Sequence, residues 1–69
     1  MTDEEAWKEA GDLVQVLLAI VPPIPRAAFD AAYARFDTLR REHEAVGPLF
    51  ESFYHLELAT EGGTLRTLT

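Results

Sequence analysis

The sequence has 69 residues, with twelve acidic and six basic side chains, a formal net charge of −6, and neither cysteine nor asparagine. This composition excludes a disulfide-stapled miniprotein, a zinc module with cysteine ligands and an N-glycosylation site. The length corresponds to one small domain over residues 1–69.

The pattern of charged and apolar residues indicates where in the cell the protein works and which classes of partner it is expected to avoid. The N-terminus is acidic where a signal or transit peptide would be basic. The longest apolar run, residues 16–24, contains two prolines and is shorter than the roughly 20 residues that a membrane span needs. Few Lys and Arg side chains are available to neutralise phosphates. We therefore expect a cytoplasmic protein that binds neither membranes nor nucleic acid directly.

The first predicted element is an amphipathic helix that starts after Thr2. Thr2 and Glu5 have the spacing of a capping box. Apolar residues recur at spacings of three and four, which predicts one buried face. That stripe consists of Trp7, Ala10, Val14, Leu17 and Val21, and the opposite, acidic stripe of Glu5, Glu9 and Asp12. Residues 16–21 have no polar face, so we expect this end to be covered on all sides.

Three prolines, Pro22, Pro23 and Pro25, predict a stiff, extended elbow after this helix. A second amphipathic helix is predicted over residues 25–46, because alanines raise helix propensity and apolar residues recur at helical spacing. Gly47 is expected as the C′ residue just after its end, and Pro48 as its stop.

The third segment has two interpretations. Residues 48–59 fit a shorter helix with its apolar side chains on one side. Alternatively, residues 54–59 alternate as a strand and residues 64–69 return as its hairpin partner. An isolated hairpin is only marginally stable, which favours the helix. The predicted fold is therefore all-α, with residues 60–69 as a flexible or docking tail.

The apolar content, 48%, exceeds what a monomer of this length can bury, because so short a chain covers only about 60% of its unfolded surface. Surplus apolar surface is typical of self-association, so we expect a helical homodimer. The residues predicted for the core or the dimer contact are Val14, Leu17, Leu18, Val21, Phe29, Phe36, Leu39 and Phe53.

Candidates for catalysis are scarce. His43 lies on the apolar stripe of the second helix, where a satisfied, partly buried histidine is expected. Glu51 and His55 are four residues apart, which indicates an exposed helical pair, since two ligands do not make a metal site. Ser52, the single serine, lacks a nucleophile elbow. We predict no catalytic residue, no cofactor and no metal.

With no candidate for catalysis, the sequence points to a surface that binds another protein. Aromatic residues dominate interface hot spots, and the predicted partner-binding residues are Trp7, Tyr33 and Tyr54 with the acidic Glu5, Glu9 and Asp12. Small phage-encoded and plasmid-encoded inhibitors and antitoxins share this short, acidic, helical profile. We expect a non-enzymatic inhibitor or regulator that binds and blocks a larger cellular protein. The alternatives are an accessory subunit of a larger assembly and an acidic mimic of nucleic acid.

Overall fold

The computed structural model describes residues 1–63, and these form an all-helical arrangement. Helix α1 spans Asp3–Leu18, α2 spans Arg26–Glu42, a 3-10 helix spans Glu44–Leu49, and α3 spans Phe50–Leu58. The predicted all-α class with a shorter third helix is confirmed. The hairpin alternative is wrong for residues 54–58, which lie in α3. Its return strand and most of the predicted tail, residues 64–69, lie outside the described residues.

The capping box at the start of α1 is present. The backbone N–H of Glu5 donates to Thr2 Oγ1 at 3.1 Å, and the backbone N–H of Thr2 donates to Glu5 Oε1 at 2.8 Å. Each side chain thereby satisfies a backbone donor that a helix start leaves without an intrahelical acceptor.

The buried face of α1 agrees with the predicted stripe at Ala10, Val14 and Leu17 and differs from it at both ends. Ala6 is buried where Trp7 was expected, Trp7 is 46% exposed, and Val21, beyond the helix end, is 84% exposed. Trp7 follows Ala6 by one residue and so points about 100° away from it around the helix. Two alanines on the inner face let the backbone of α1 lie close to its neighbours.

Helix α2 is shorter than predicted, since it ends at Glu42 rather than at residue 46. His43 is extended, with φ −137° and ψ 95°, and Gly47 and Pro48 lie inside the following 3-10 helix instead of capping α2. The extended residue redirects the chain so that Val46 is fully buried. Val46 therefore reaches the core from the 3-10 helix rather than from an α-helical stripe.

One hydrophobic core holds the helices together, and Phe36 and Phe53 stack at its centre with ring centroids 4.4 Å apart. Of the eight residues predicted for core or dimer contact, six are buried: Val14, Leu17, Phe29, Phe36, Leu39 and Phe53. Leu18, at 59% exposure, and Val21 are not core residues of this chain. Val16 is exposed as well, so the chain by itself does not cover residues 16–21 on all sides as expected.

Backbone hydrogen bonds join the segment between α1 and α2 to the turn after α3. The backbone N–H of Ile24 donates to the carbonyl of Ala59, and the N–H of Glu61 donates to the carbonyl of Ile24, both at 2.9 Å. Ile24 and Thr60 form an isolated parallel bridge and are both buried. This pairing fixes the start of α2 relative to the end of α3, which sets the geometry of the cleft between them.

Candidate binding cleft

A cleft of about 270 Å³ opens between α2 and α3. We call it the aromatic cleft, and it is lined by Phe29, Asp30, Tyr33, Phe50, Phe53, Tyr54 and Glu57. The lining residues of α3 follow the spacing i, i+3, i+4, i+7, which places them on one helix face. The lining residues of α2 fall within about one helical turn.

The floor of the cleft is a set of packed aromatic rings. Phe53 is fully buried and meets Phe29 and Tyr33 edge to face, with centroids 6.4 and 5.9 Å apart. Tyr33 also stacks on Phe29 at 5.8 Å. Edge-to-face and offset arrangements are those that the ring quadrupoles favour. The floor therefore needs little reorganisation to receive a ligand.

Two exposed rings form the rim of the cleft. Phe50 is 44% exposed and Tyr54 is 53% exposed. Large aromatic side chains that keep this much surface in contact with water are available to a partner, and they lose little conformational entropy on binding.

Two carboxylates, Asp30 and Glu57, add negative charge to this aromatic surface. Both approach the guanidinium of Arg26, Asp30 at 3.7 Å and Glu57 at 3.3 Å. The same guanidinium lies over the Phe29 ring, 5.6 Å from its centroid. The cleft is thus apolar at its floor and polar at one side, which is the general make-up of a binding site.

The structure divides the predicted partner-binding residues between two places. Tyr33 and Tyr54 lie in the aromatic cleft, where Tyr33 is partly buried against the core. Trp7 and the acidic stripe of Glu5, Glu9 and Asp12 belong to α1 and do not line the cleft. The six residues therefore do not form one surface of the kind that the sequence suggested.

Two of the three carboxylates in the acidic stripe hold contacts within the chain. The backbone and hydroxyl of Thr2 bind Glu5 and lower its pKa. Glu9 accepts two hydrogen bonds from the Arg35 guanidinium, one of them at 3.0 Å, and this pairing lowers the pKa of Glu9. The stripe consequently presents less uncompensated charge than the sequence implied.

The two histidines have contacts of different kinds. His43 Nδ1 lies 2.7 Å from Asp3 Oδ1 in the first turn of α1, and its side chain is largely buried. His55 Nε2 lies 3.8 Å from Glu51 Oε1, and both side chains are exposed. Within residues 1–63, no group of three or more His, Asp or Glu side chains is placed to hold a metal ion. His43 thus joins α1 to the end of α2, as a satisfied, partly buried histidine would.

Sequence reasoning missed several residues of the cleft. Asp30, Phe50 and Glu57 were not among the predicted site residues, and Phe29 and Phe53 were assigned to the core or the dimer contact. A helical projection of residues 50–57 would have shown Phe50, Phe53, Tyr54 and Glu57 on one face. The missing information was the packing of that face beside Phe29 and Tyr33.

No helix among residues 1–63 is long and apolar enough to cross a membrane. No protein-family model, no curated protein and no solved structure matches the chain.

Proposed function

We propose that this protein is a non-enzymatic protein-binding module, a small inhibitor or regulator that blocks a larger cellular protein, and that the aromatic cleft is its contact surface. The observation that carries the proposal is the exposure of Phe50 and Tyr54 above a floor of packed rings. Exposed aromatic anchors beside a preformed apolar cleft are typical of protein-binding hot spots.

A second apolar surface supports the proposed homodimer. Trp7 and Leu18 lie on the same side of α1, since eleven residues correspond to about three helical turns. Both are about half exposed, and Val21 beyond the helix end is exposed still more. A second copy of the chain would cover this surface by two-fold symmetry and leave the aromatic cleft to a different protein.

The acidic mimic of nucleic acid receives less support. A mimic needs an array of uncompensated carboxylates, and the charge of Glu9 is paired with the Arg35 guanidinium. We expect binding of the partner to depend weakly on salt, because contacts made by aromatic rings are not screened by ions.

The test is a comparison of captured proteins. Wild-type protein, Tyr54→Ala and Trp7→Ala are immobilised and exposed to lysate of the native host, and the retained proteins are identified by mass spectrometry. We expect a protein that wild type and Trp7→Ala retain and Tyr54→Ala loses. Trp7→Ala is the matched control, because it also removes a half-exposed aromatic ring. Loss with Trp7→Ala alone would move the contact surface to α1.

A further inference from the structure

We infer that two copies of the chain pair through their α1 helices in an antiparallel arrangement, and that the two helix backbones approach each other closely at Gly11. This inference rests on the homodimer of the proposed function and specifies its interface. Three observations carry it: the spacing of apolar residues along one side of α1, a glycine among them that the single chain does not explain, and the distribution of charge along the helix.

The apolar residues on one side of α1 have the spacing of a helix–helix contact. The series is Trp7, Gly11, Val14 and Leu18, and Val21 continues it beyond the helix end. Alternating spacings of four and three residues keep such a series on one side of a helix, where a second helix can pack against it. Val14 adjoins the core, whereas Trp7 and Leu18 are about half exposed. The single chain therefore leaves both ends of this series in contact with water.

Gly11 lies within this series, and the fold of one chain does not require a glycine there. Glycine inside a helix is less stable than alanine. The backbone of Gly11 is helical and has no positive φ. Apart from its chain neighbours and the nearby backbone of α1, no atom of residues 1–63 would lie within 4 Å of a Cβ added at this position. A second backbone against this position explains the glycine, because glycine allows close approach.

The charges of α1 favour the antiparallel direction. Asp3, Glu4 and Glu5 lie in the first turn, whereas residues 13–21 carry no charged side chain. A parallel pair would bring the two acidic first turns together, and like charges at an interface repel. It would also align the two helix dipoles side by side. An antiparallel pair places each acidic turn beside the uncharged end of the other helix.

The antiparallel arrangement is self-complementary in shape. When Trp7 of one copy faces Leu18 of the second copy, Gly11 faces Val14, and the two-fold axis repeats both pairs. The large ring then covers an exposed leucine. The missing side chain at Gly11 makes room for the branched side chain of Val14.

The first experiment adds a side chain at Gly11 and measures dimerisation of the full chain by sedimentation. Gly11→Leu enlarges the exposed apolar surface, so it would strengthen pairing if apolar area alone drove association. If the helices approach closely at this position, the leucine holds them apart. We expect the dimer dissociation constant to rise about tenfold or more. Helix content measured by circular dichroism should be retained, because the added Cβ meets open space in the single chain.

Two further variants complete this test. Gly47→Leu is the matched control, since it adds the same side chain in open space on the 3-10 helix, and it should leave the dissociation constant unchanged. Gly11→Ala adds only a methyl group and raises helix propensity, so it keeps the test decisive if the leucine variant unfolds. It should raise the dissociation constant severalfold. Gly11 variants that dimerise as tightly as wild type, or more tightly, would overturn the close approach.

The second experiment measures the direction of the helices. The chain has no cysteine, so Glu4→Cys provides a single site for a spin label on the exposed side of α1. In the antiparallel pair the two labelled positions lie about 25 Å apart along the helix axis, given a rise of about 1.5 Å per residue. In a parallel pair they would lie at the helix–helix spacing of about 10 Å. Electron paramagnetic resonance measures this distance, and the shorter value would overturn the antiparallel arrangement.

These outcomes are distinguishable from failure of the proposed function. A wild-type monomer at micromolar concentration would overturn the homodimer and this interface together. A wild-type dimer that Gly11→Leu does not weaken keeps the homodimer and overturns the interface. If Gly11→Leu weakens the dimer and Tyr54→Ala retains every captured protein, the interface stands and the aromatic cleft falls as the contact surface for the larger protein.

Discussion

Arg26 and Glu61 are 35 residues apart, and Arg26 donates to Glu61 from both its backbone and its side chain. The backbone N–H of Arg26 donates to Glu61 Oε1 at 3.0 Å, while Arg26 Nε and Nη2 donate to the Glu61 carbonyl at 3.1 and 2.8 Å. Pro25, which precedes α2, provides no side-chain cap. A carboxylate from the end of the described chain thus caps α2 and holds the turn after α3 against it.

Replacement of Glu61 should therefore destabilise the start of α2. We expect Glu61→Ala to lower the free energy of unfolding by about 1 kcal/mol, as the loss of an N-cap acceptor does. Glu61→Gln is the matched control, because it keeps an oxygen that can accept from Arg26, and it should cost less. Urea denaturation followed by circular dichroism measures both. A Glu61→Ala variant as stable as wild type would show that the cap contributes nothing.

Truncation to alanine should destabilise the fold far more at Phe36 than at Phe50. Phe36 is fully buried against Phe53, so Phe36→Ala should cost about 3–5 kcal/mol. A small domain has little more stability than this, so the variant should be largely unfolded. Phe50→Ala removes the same ring from a half-exposed position and should retain its helix content at 25 °C. Equal losses of helical signal would contradict the assignment of Phe50 to the rim of the cleft.

Acid should destabilise the fold through Glu5 and Glu9. The pKa of each lies below its ordinary value of 4.5 in the folded chain, so the folded state favours the ionised carboxylates. Their contribution is complete above pH 4.5 and is lost as the pH falls through the lowered folded values. We expect stability to decrease with acidification below about pH 4.5. Thermal unfolding measured at steps across this range reports the decrease.

Arg35→Gln isolates the part that Glu9 contributes to this pH dependence. The variant removes the cation that lowers the pKa of Glu9, so stability should depend less steeply on pH below 4.5 than it does in wild type. An unchanged slope would show that the Arg35–Glu9 pair does not couple folding to pH.

Self-association should depend on the exposed apolar residues of α1 and of the segment after it. At micromolar concentration, sedimentation should give a mass of about 15 kDa, twice the chain mass of 7.7 kDa. Leu18→Glu should shift the equilibrium to the monomer and keep the helix content, because Leu18 lies outside the core. Tyr54→Ala is the control and should remain dimeric. A folded wild-type monomer throughout this range would refute the proposed dimer.

Gly47 and Gly63 should tolerate substitution by alanine unequally. A Cβ on Gly63 would clash with the backbone oxygen of Glu57, so Gly63→Ala must displace backbone and should cost about 1–3 kcal/mol. Gly47→Ala is the control, since a Cβ there meets nothing within 4 Å, and it should change stability by less than about 0.5 kcal/mol. Urea unfolding compares the two variants, and equal stabilities would contradict the close approach at Gly63.

Local signals in the sequence predicted the helices well and their boundaries less well. The capping box of Thr2 and Glu5 involves residues three apart, so its geometry follows from the sequence alone. The end of α2 does not follow in this way. Gly47 and Pro48 marked a stop at residue 46, but the backbone leaves the helix at His43, whose side chain contacts Asp3, forty residues earlier.

The predicted binding surface shows the same difference between features set by local sequence and features set by long-range contacts. The helical class, the acidic charge and the aromatic content follow from composition and from periodicity within single segments. The tertiary structure decided that Trp7 stays exposed beside the buried face of α1, that Glu9 meets Arg35, and that Glu61 caps α2. It also placed Tyr33 and Tyr54 at one cleft with Asp30 and left Trp7 on another helix. The physical reason is that periodicity defines a face within one helix, whereas a binding cleft requires the relative position of two helices, which long-range packing determines.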